Sequence, residues 1–244
     1  MEKQKRTPPD KAEENLHKRH RQRLKARFLA ENLSLANFND HTKLELFLYY
    51  ALPQKDTNPI AHRLLNKFET LQGVFDASVE ELCTIDGISS HAALLFKIAM
   101  EINRYYMISI NENQAENLDS INKIGRYMLP FFHGKQEEHV YVLTLSASMV
   151  PIRCNLLFKG SINSASINAR MIVELALSQR AAGVVIAHNH PGGLALPSTE
   201  DINTTYNIHK VLTGVGIHFV DHILVAGTEF VSFMQSNFLP NIQQ

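Results

Sequence analysis

The sequence predicts an all-α half followed by an α/β half. Two observations carry this. Residues 41–107 place apolar residues at helical spacing throughout. Beyond residue 122 short β-rich runs alternate with helical segments, and one of them, Gly183–Ala187 (GVVIA), is the continuous apolar run of a buried central strand. The length agrees, since 244 residues at 27.6 kDa hold one large domain or two small ones. No internal repeat is visible.

Each element has its own signal. Residues 1–15 read as a disordered, charged leader. Residues 16–29 read as a basic helix whose apolar stripe is Leu16, Leu24, Phe28 and Leu29. A helix starting at His41 or Thr42 holds Leu44, Leu46, Phe47, Tyr50 and Leu52, and Pro53 stops it. Pro59 marks the start of the next, with Ile60, Leu64, Leu65 and Phe68 on one face. Val79–Tyr106 gives two helices around a Gly-containing turn. The helical domain therefore covers 16–108. Residues 109–122 are polar and aperiodic and read as a linker, which leaves 123–244 as the second domain. There, Val140–Leu145 and Ile152–Phe158 are strands, and Asn168–Ala182 has helical spacing through Met171, Ile172, Leu175 and Ala176. After the central strand come a helix over Pro197–Thr213, with Ser198 as N-cap and Gly214 beyond its end, a strand over Ile217–Ala226, and a last one over Glu229–Phe233.

Composition excludes several classes. With 24 Lys+Arg and 24 Asp+Glu the formal net charge is zero. The total conceals a basic head: residues 1–30 hold ten Lys/Arg and four Asp/Glu, a net of +6, so the remainder carries −6. Two cysteines, Cys83 and Cys154, without a CxxC, exclude a disulfide scaffold and a cysteine-based zinc site and suit a reducing cytosol. No apolar run approaches the roughly 18 residues of a membrane span, and the N-terminus lacks the apolar stretch of a signal peptide. The expectation is a cytoplasmic protein.

The most informative stretch is Ala187-His-Asn-His-Pro-Gly-Gly-Leu-Ala-Leu-Pro-Ser-Thr-Glu-Asp201. His188 and His190 stand two apart at a strand end, where period two puts both imidazoles on one face. Two neutral imidazoles and a carboxylate are a common three-ligand set for catalytic zinc, and Asp201 in the first turn of the next helix can supply the carboxylate. Ser198 would sit beside the metal, able to hydrogen-bond a water or an oxyanion. Glu137 and Glu138, opening the first strand of the domain, are candidates for a general base. Other readings stay open. Ser198-Thr-Glu-Asp201 is also a capping box that needs no metal, and the histidine pair could belong to a polar turn. A Ser-His-Asp triad fits poorly, because Ser198 lacks a G-x-S-x-G context.

His188-x-His190-x₇-Ser198-x₂-Asp201 resembles the JAMM (JAB1/MPN/Mov34) metalloprotease motif. With Pro-Gly-Gly after the histidines and Asp221-His222-Ile223 downstream, it is similar to the bacterial RadC-like branch. The resemblance implies an N-terminal helix-hairpin-helix region around Ile85-Asp-Gly-Ile88, then a cytidine-deaminase-like JAMM/MPN α/β domain with a mixed sheet. It implies one Zn²⁺ held by His188, His190 and Asp201, with Ser198 steadying the catalytic water and the oxyanion. It places the general base seven residues before Leu145, at Glu138 rather than Glu137, in a register where a one-residue shift flips the face. The implied activity is zinc-dependent hydrolysis of an amide or isopeptide bond, with zinc-activated water and Glu138 as general acid/base, on an unidentified peptide or protein. Three departures stand out: Gly192 where the family has Ser, Ala169-Arg170-Met171 where it has Pro-Arg-Glu, and Gly87-Ile88-Ser89 where its hairpin reads Gly-x-Gly. The last adds a Cβ where open backbone would hold a DNA phosphate. The alternative is a DNA-associated protein, in a repair or recombination context, whose metal site is structural or vestigial. Its contacts would come from Arg19, Arg21 and Arg23 of the head and from Gly87 and Ser89 of the hairpin, although the head also reads as a solvated helix that aids solubility. Asp221-His222 reads as a structural strand-end pair before it reads as a hydrogen-bonding pair near the site.

Overall fold

A computed structural model of the chain describes residues 11–113, 117–160, 168–236 and 238. Two compact units divide it, residues 1–100 and 101–244.

The first unit is all α. Its described helices are α1 (Lys11–Ala30), α2 (Asp40–Ala51), α3 (Asn58–Phe68), α4 (Leu71–Asp76), α5 (Val79–Cys83) and the opening of α6 (Ser90–Asn113). The starts follow from side-chain caps. Asn39 accepts from Thr42 N–H, Thr70 accepts from Gly73 N–H, and Ser78 with Glu81 forms a full capping box. Pro59 sits in the first turn of α3. The core gathers Leu44, Leu48, Ile60, Leu64, Leu82 and Phe96. Within α1, Leu24 is buried and Phe28 packs beside it, but Leu29 is 66% exposed, so the expected stripe is narrower. Residues 11–15, expected to be disordered, are the first turns of α1, because a Lys/Glu-rich segment is a good helix former once it continues into an anchored helix. Residues 1–10 of the expected leader lie outside the described residues.

The expected linker is also corrected. α6 runs on through Asn113, and α7 (Ile121–Phe132) takes the rest of the stretch from residue 121. Ile108 is buried in the core of the second unit, and Asn111 Nδ2 donates to the Tyr127 carbonyl at 3.3 Å. A helix that buries few residues in its last turns has the composition of a linker, which is why its polar letters misled. The unit boundary falls between Met100 and Glu101, ahead of the predicted one.

The sequence predicts no helix at α7, yet Ile124, Tyr127, Met128, Phe131 and Phe132 are buried at i, i+3, i+4, i+7 and i+8, behind a Ser120 N-cap. The sheet contains β1 (His139–Leu145), β2 (Pro151–Lys159), β3 (Gly183–Asn189), β4 (His218–Ala226) and β5 (Glu229–Ser232), in the order β2-β1-β3-β4-β5. Among the described strands only β3 and β4 pair in parallel, so the sheet is mixed. The helices α8 (Ala169–Ser178) and α9 (Thr199–Gly214) complete the unit, and α9 is the crossover between the parallel strands. One face of the sheet packs Leu143, Val185, Ala187 and Ile223 against α7. The other packs Val142, Val184, Ile186 and Leu224 against α8 and α9. Buried on both faces, β3 reads as the continuous apolar run that predicts it.

Gly125 is where α7 meets β5. A Cβ there would lie 2.2–2.4 Å from three carbons of the Phe230 ring, so Gly125→Ala should destabilise the chain by about 1–3 kcal/mol. That lowers the melting temperature by roughly 2–4 °C per kcal/mol. Phe230→Leu in the same chain should recover part of the loss, read as a coupling in a double-mutant cycle. Simple additivity would show that the close approach carries no weight.

Candidate metal centre

The site is built where β3 ends and α9 begins. Alternation along β3 puts His188 on the α9 face with Val184 and Ile186, and its side chain is 1% exposed. His190 lies just past the strand, held by its N–H to the Val225 carbonyl at 3.0 Å. Ser198 caps α9, and the box is complete: Asp201 N–H donates to Ser198 Oγ at 3.1 Å and Ser198 N–H donates back to Asp201 Oδ2 at 2.8 Å. The Ser198 hydroxyl also donates to Oδ2, at 2.6 Å. This box aims the carboxylate inward. His188 Nε2 is 3.4 Å from Asp201 Oδ1, His190 Nε2 is 3.6 Å from Oδ2, and the two ring nitrogens are 3.1 Å apart. These three side chains form a group whose ligand atoms all lie within 4.8 Å of one another. The capping box and the metal-ligand pattern therefore use the same aspartate.

The electrostatics match a cation site. Burial opposes ionisation of Asp201, yet the two imidazoles beside it, His188 first, and the hydrogen bonds from Ser198 hold its carboxyl well below the usual range. The Asp201 carboxylate, 3.6 Å away, raises His190 against the opposing effect of burial, and the charge of Glu138 adds to it. Two imidazole nitrogens and one carboxylate oxygen fit Zn²⁺ better than Ca²⁺ or Mg²⁺, which prefer all-oxygen shells. Three protein donors also leave an open position for water or substrate.

The two glutamates before β1 part company. Glu137 is exposed and pairs with Lys159 at 3.2 Å. Glu138 is half-buried, and its charge bears on His190. Asn189, between the two histidines, points to the opposite face from His188 and brackets Glu138. Its Oδ1 accepts from His139 N–H at 2.7 Å, and its Nδ2 donates to the Glu137 carbonyl at 3.1 Å. The Glu138 carbonyl is held by Gly160 N–H at 2.9 Å.

His222 is inside β4, not at a strand end, and this corrects the expectation of a strand-end pair. Its Nε2 is 2.7 Å from His188 Nδ1, and its Nδ1 is 2.6 Å from Thr205 Oγ1 on α9. Burial pushes its pKa well below the usual imidazole range. Asp221 serves the scaffold: it accepts from His222 N–H, Met234 N–H and the Ser232 hydroxyl. Thr205 and Asn189 are site residues that the motif did not single out.

Arg21 is not a free cation. It donates to the carbonyls of Pro53, Leu52 and Lys55 at 2.5, 3.0 and 2.6 Å, and its guanidinium lies 4.4 Å from the Tyr49 ring centroid. It covers the C-terminal end of α2, where a cation meets the helix dipole. Arg19 and Arg23 are exposed. Gly87 adopts φ +99°, with its carbonyl accepting from Lys55 Nζ at 3.3 Å. Ser89 Oγ accepts from Ala92 N–H at 3.3 Å, so this serine caps the start of α6.

Asn189→Ala removes the acceptor of the buried His139 N–H, so it should cost about 1–3 kcal/mol. Urea denaturation should show a lower midpoint at unchanged slope. An unshifted midpoint would mean that the bracket around Glu138 is not held by this side chain.

Comparison with known proteins follows the same outline. Residues 118–238 match the model of the RadC-like JAB domain. The UPF0758 protein of Pseudoalteromonas translucida is 36% identical over 197 residues, covering 81% of this chain and 88% of its own. That of Fusobacterium nucleatum is 31% identical over 226 residues, covering 90% and 97%. A UPF0758 protein of Vibrio cholerae is 30% identical over 203 residues, covering 83% and 90%. The chain belongs to the RadC-like JAB-domain family.

Proposed function

We propose that the chain is a zinc-dependent hydrolase of the JAMM type, cleaving an amide or isopeptide bond in a peptide or protein. The observation that carries this reading is the convergence of His188 Nε2, His190 Nε2 and an Asp201 carboxylate oxygen, with the half-buried Glu138 acting electrostatically on His190. When bound, zinc supplies Lewis acidity toward water and the scissile carbonyl. His188, His190 and Asp201 would hold it.

The remaining work falls to side chains of this chain. Glu138 takes the proton of the attacking water and returns it to the leaving nitrogen, the general acid/base role that a positioned carboxylate supplies. Its half-buried setting keeps that proton from bulk water. Ser198 is exposed at the rim, and its hydroxyl proton points at Asp201 Oδ2. Rotation about the Cβ–Oγ bond turns the proton to a developing oxyanion, while Ser198 N–H still holds Oδ2 at 2.8 Å. Substrate approaches from the side of His190, which is 22% exposed, since His188 is closed off.

Protein purified without added zinc should carry about one zinc per chain, and His188→Ala and Asp201→Ala should each strip it. Zinc below about a tenth per chain in the parent protein would sink the proposal. Glu138→Gln should retain the metal and lose cleavage of a degenerate peptide library, read by mass spectrometry, by roughly 10²–10⁴-fold. Glu137→Gln should behave as the parent. Loss of cleavage in Glu137→Gln with retention in Glu138→Gln would reverse the assignment of the base.

A further inference from the structure

We infer that Thr205 and His222 form a one-way hydrogen-bond relay that fixes the tautomer of His188, so that its Nε2 lone pair faces His190 and Asp201. Both are positioning residues. The role given to that lone pair rests on the zinc-site reading above.

The direction of the relay follows from counting protons. Thr205 Oγ1 is 2.5 Å from the Asp201 carbonyl oxygen. A carbonyl only accepts, so the hydrogen between these two oxygens is the threonine hydroxyl proton. That proton is the only one Thr205 Oγ1 carries. Its 2.6 Å contact with His222 Nδ1 must therefore use a proton on the ring nitrogen. His222 is thus Nδ1–H. It is 2% exposed, and its ring nitrogens meet Thr205 Oγ1 and His188 Nδ1, neither of them a carboxylate that would hold a second ring proton, so its Nε2 bears a lone pair. The 2.7 Å contact between that Nε2 and His188 Nδ1 then requires the proton on His188 Nδ1. Neutral His188 is left with Nε2 unprotonated, the atom 3.1 Å from His190 Nε2 and 3.4 Å from Asp201 Oδ1. Which ring nitrogen is free to bind a metal is set by the hydrogen bond the other one makes.

The surroundings keep the relay from reversing. Phe233, fully buried, stacks on His222 with ring centroids 4.3 Å apart and planes 17° apart. Its N–H donates to the His222 carbonyl at 2.9 Å. At 2% exposure the ring is closed to bulk solvent. The chain of bonds also closes on itself: it starts at the backbone carbonyl of Asp201 and ends facing that residue's carboxylate. One residue sets both the hydrogen-bond direction behind His188 and the negative charge in front of it.

The test has two arms. In metal-free protein at about pH 8, where an ordinary imidazole is neutral, long-range ¹⁵N–¹H correlation spectra should show Nδ1 protonated and Nε2 bare on both His188 and His222. Protonated Nε2 on neutral His188 would overturn the relay, whether or not the protein binds zinc. Chelator competition supplies the second readout. His222→Phe keeps the stacked ring and removes the acceptor, and zinc affinity should fall by roughly 10–100-fold. His222→Gln, which can accept from His188 and donate to Thr205, should recover most of it. Thr205→Val should weaken binding and Thr205→Ser should restore it, a pair that remains informative if His222→Phe fails to fold. Parental affinity in both Thr205→Val and a folded His222→Phe would refute the relay and leave the zinc reading standing. A parent that binds no zinc would end the zinc reading, while the ¹⁵N spectra would still decide the relay.

Discussion

The carboxylate of Asp201 is the point on which the geometry of the candidate metal centre depends. It completes the N-terminal box of α9 through Ser198 N–H and Oγ, and it faces both imidazoles. The two uses reinforce each other. An N-cap box fixes the carboxylate at the positive end of the helix dipole, which favours the ionised form that a metal needs. The helix start is thereby coupled to the strand end, because the same group that stabilises the first turn of α9 holds His188 and His190 from across the loop. A cap satisfied by Ser198 alone would leave the aspartate free to rotate toward solvent.

Strand alternation distributes the remaining duties. On β3, His188 faces α9 and meets His222 and Asp201, whereas Asn189 faces the other way and ties down the backbone on either side of Glu138. Neighbouring residues of one buried strand thus serve the candidate site from opposite faces: His188 as a candidate ligand, and Asn189 by holding the backbone of the candidate base. A one-residue slip of β3 against β1 would exchange these assignments. That slip is resisted because β3 is fully buried and bonded to β1 and β4 along its length.

Much of this was legible in the letters, and the misses share a cause. The strands, α9 with its N-cap and the H-x-H…S-x-x-D set are local patterns, so periodicity and spacing reveal them. The amphipathic face of α7 was as regular as any, but it follows polar residues that looked like one long linker. Asn189 sits in plain view between two histidines. Its function became readable only when β3 was paired with β1, 50 residues away in sequence from its partner His139. Thr205 and His222 are 17 residues apart, and His222 is 34 from His188. Spacing along the chain carries no trace of such contacts, because a crossover connection brings β4 beside β3 after all of α9 has intervened.

The same distinction between charge counted and charge placed applies to the basic head. A net of +6 over residues 1–30 suggests an electrostatic surface for polyanions. Arg21 shows why the count overstates that surface, since its guanidinium is taken up by three carbonyls at the end of α2 and by the face of Tyr49. Arg27 is partly engaged as well, donating to the Asn37 carbonyl at 2.9 Å and lying 4.4 Å from the Phe38 ring centroid. Cations committed to capping a neighbouring helix contribute to folding through short-range bonds that salt screens little. A phosphate would have to displace those bonds to gain the same guanidinium. The exposed Arg19 and Arg23 carry no such cost. Among the described side chains of the head, Arg21 therefore serves first as a structural clamp on the end of α2, whereas Arg19 and Arg23 face outward.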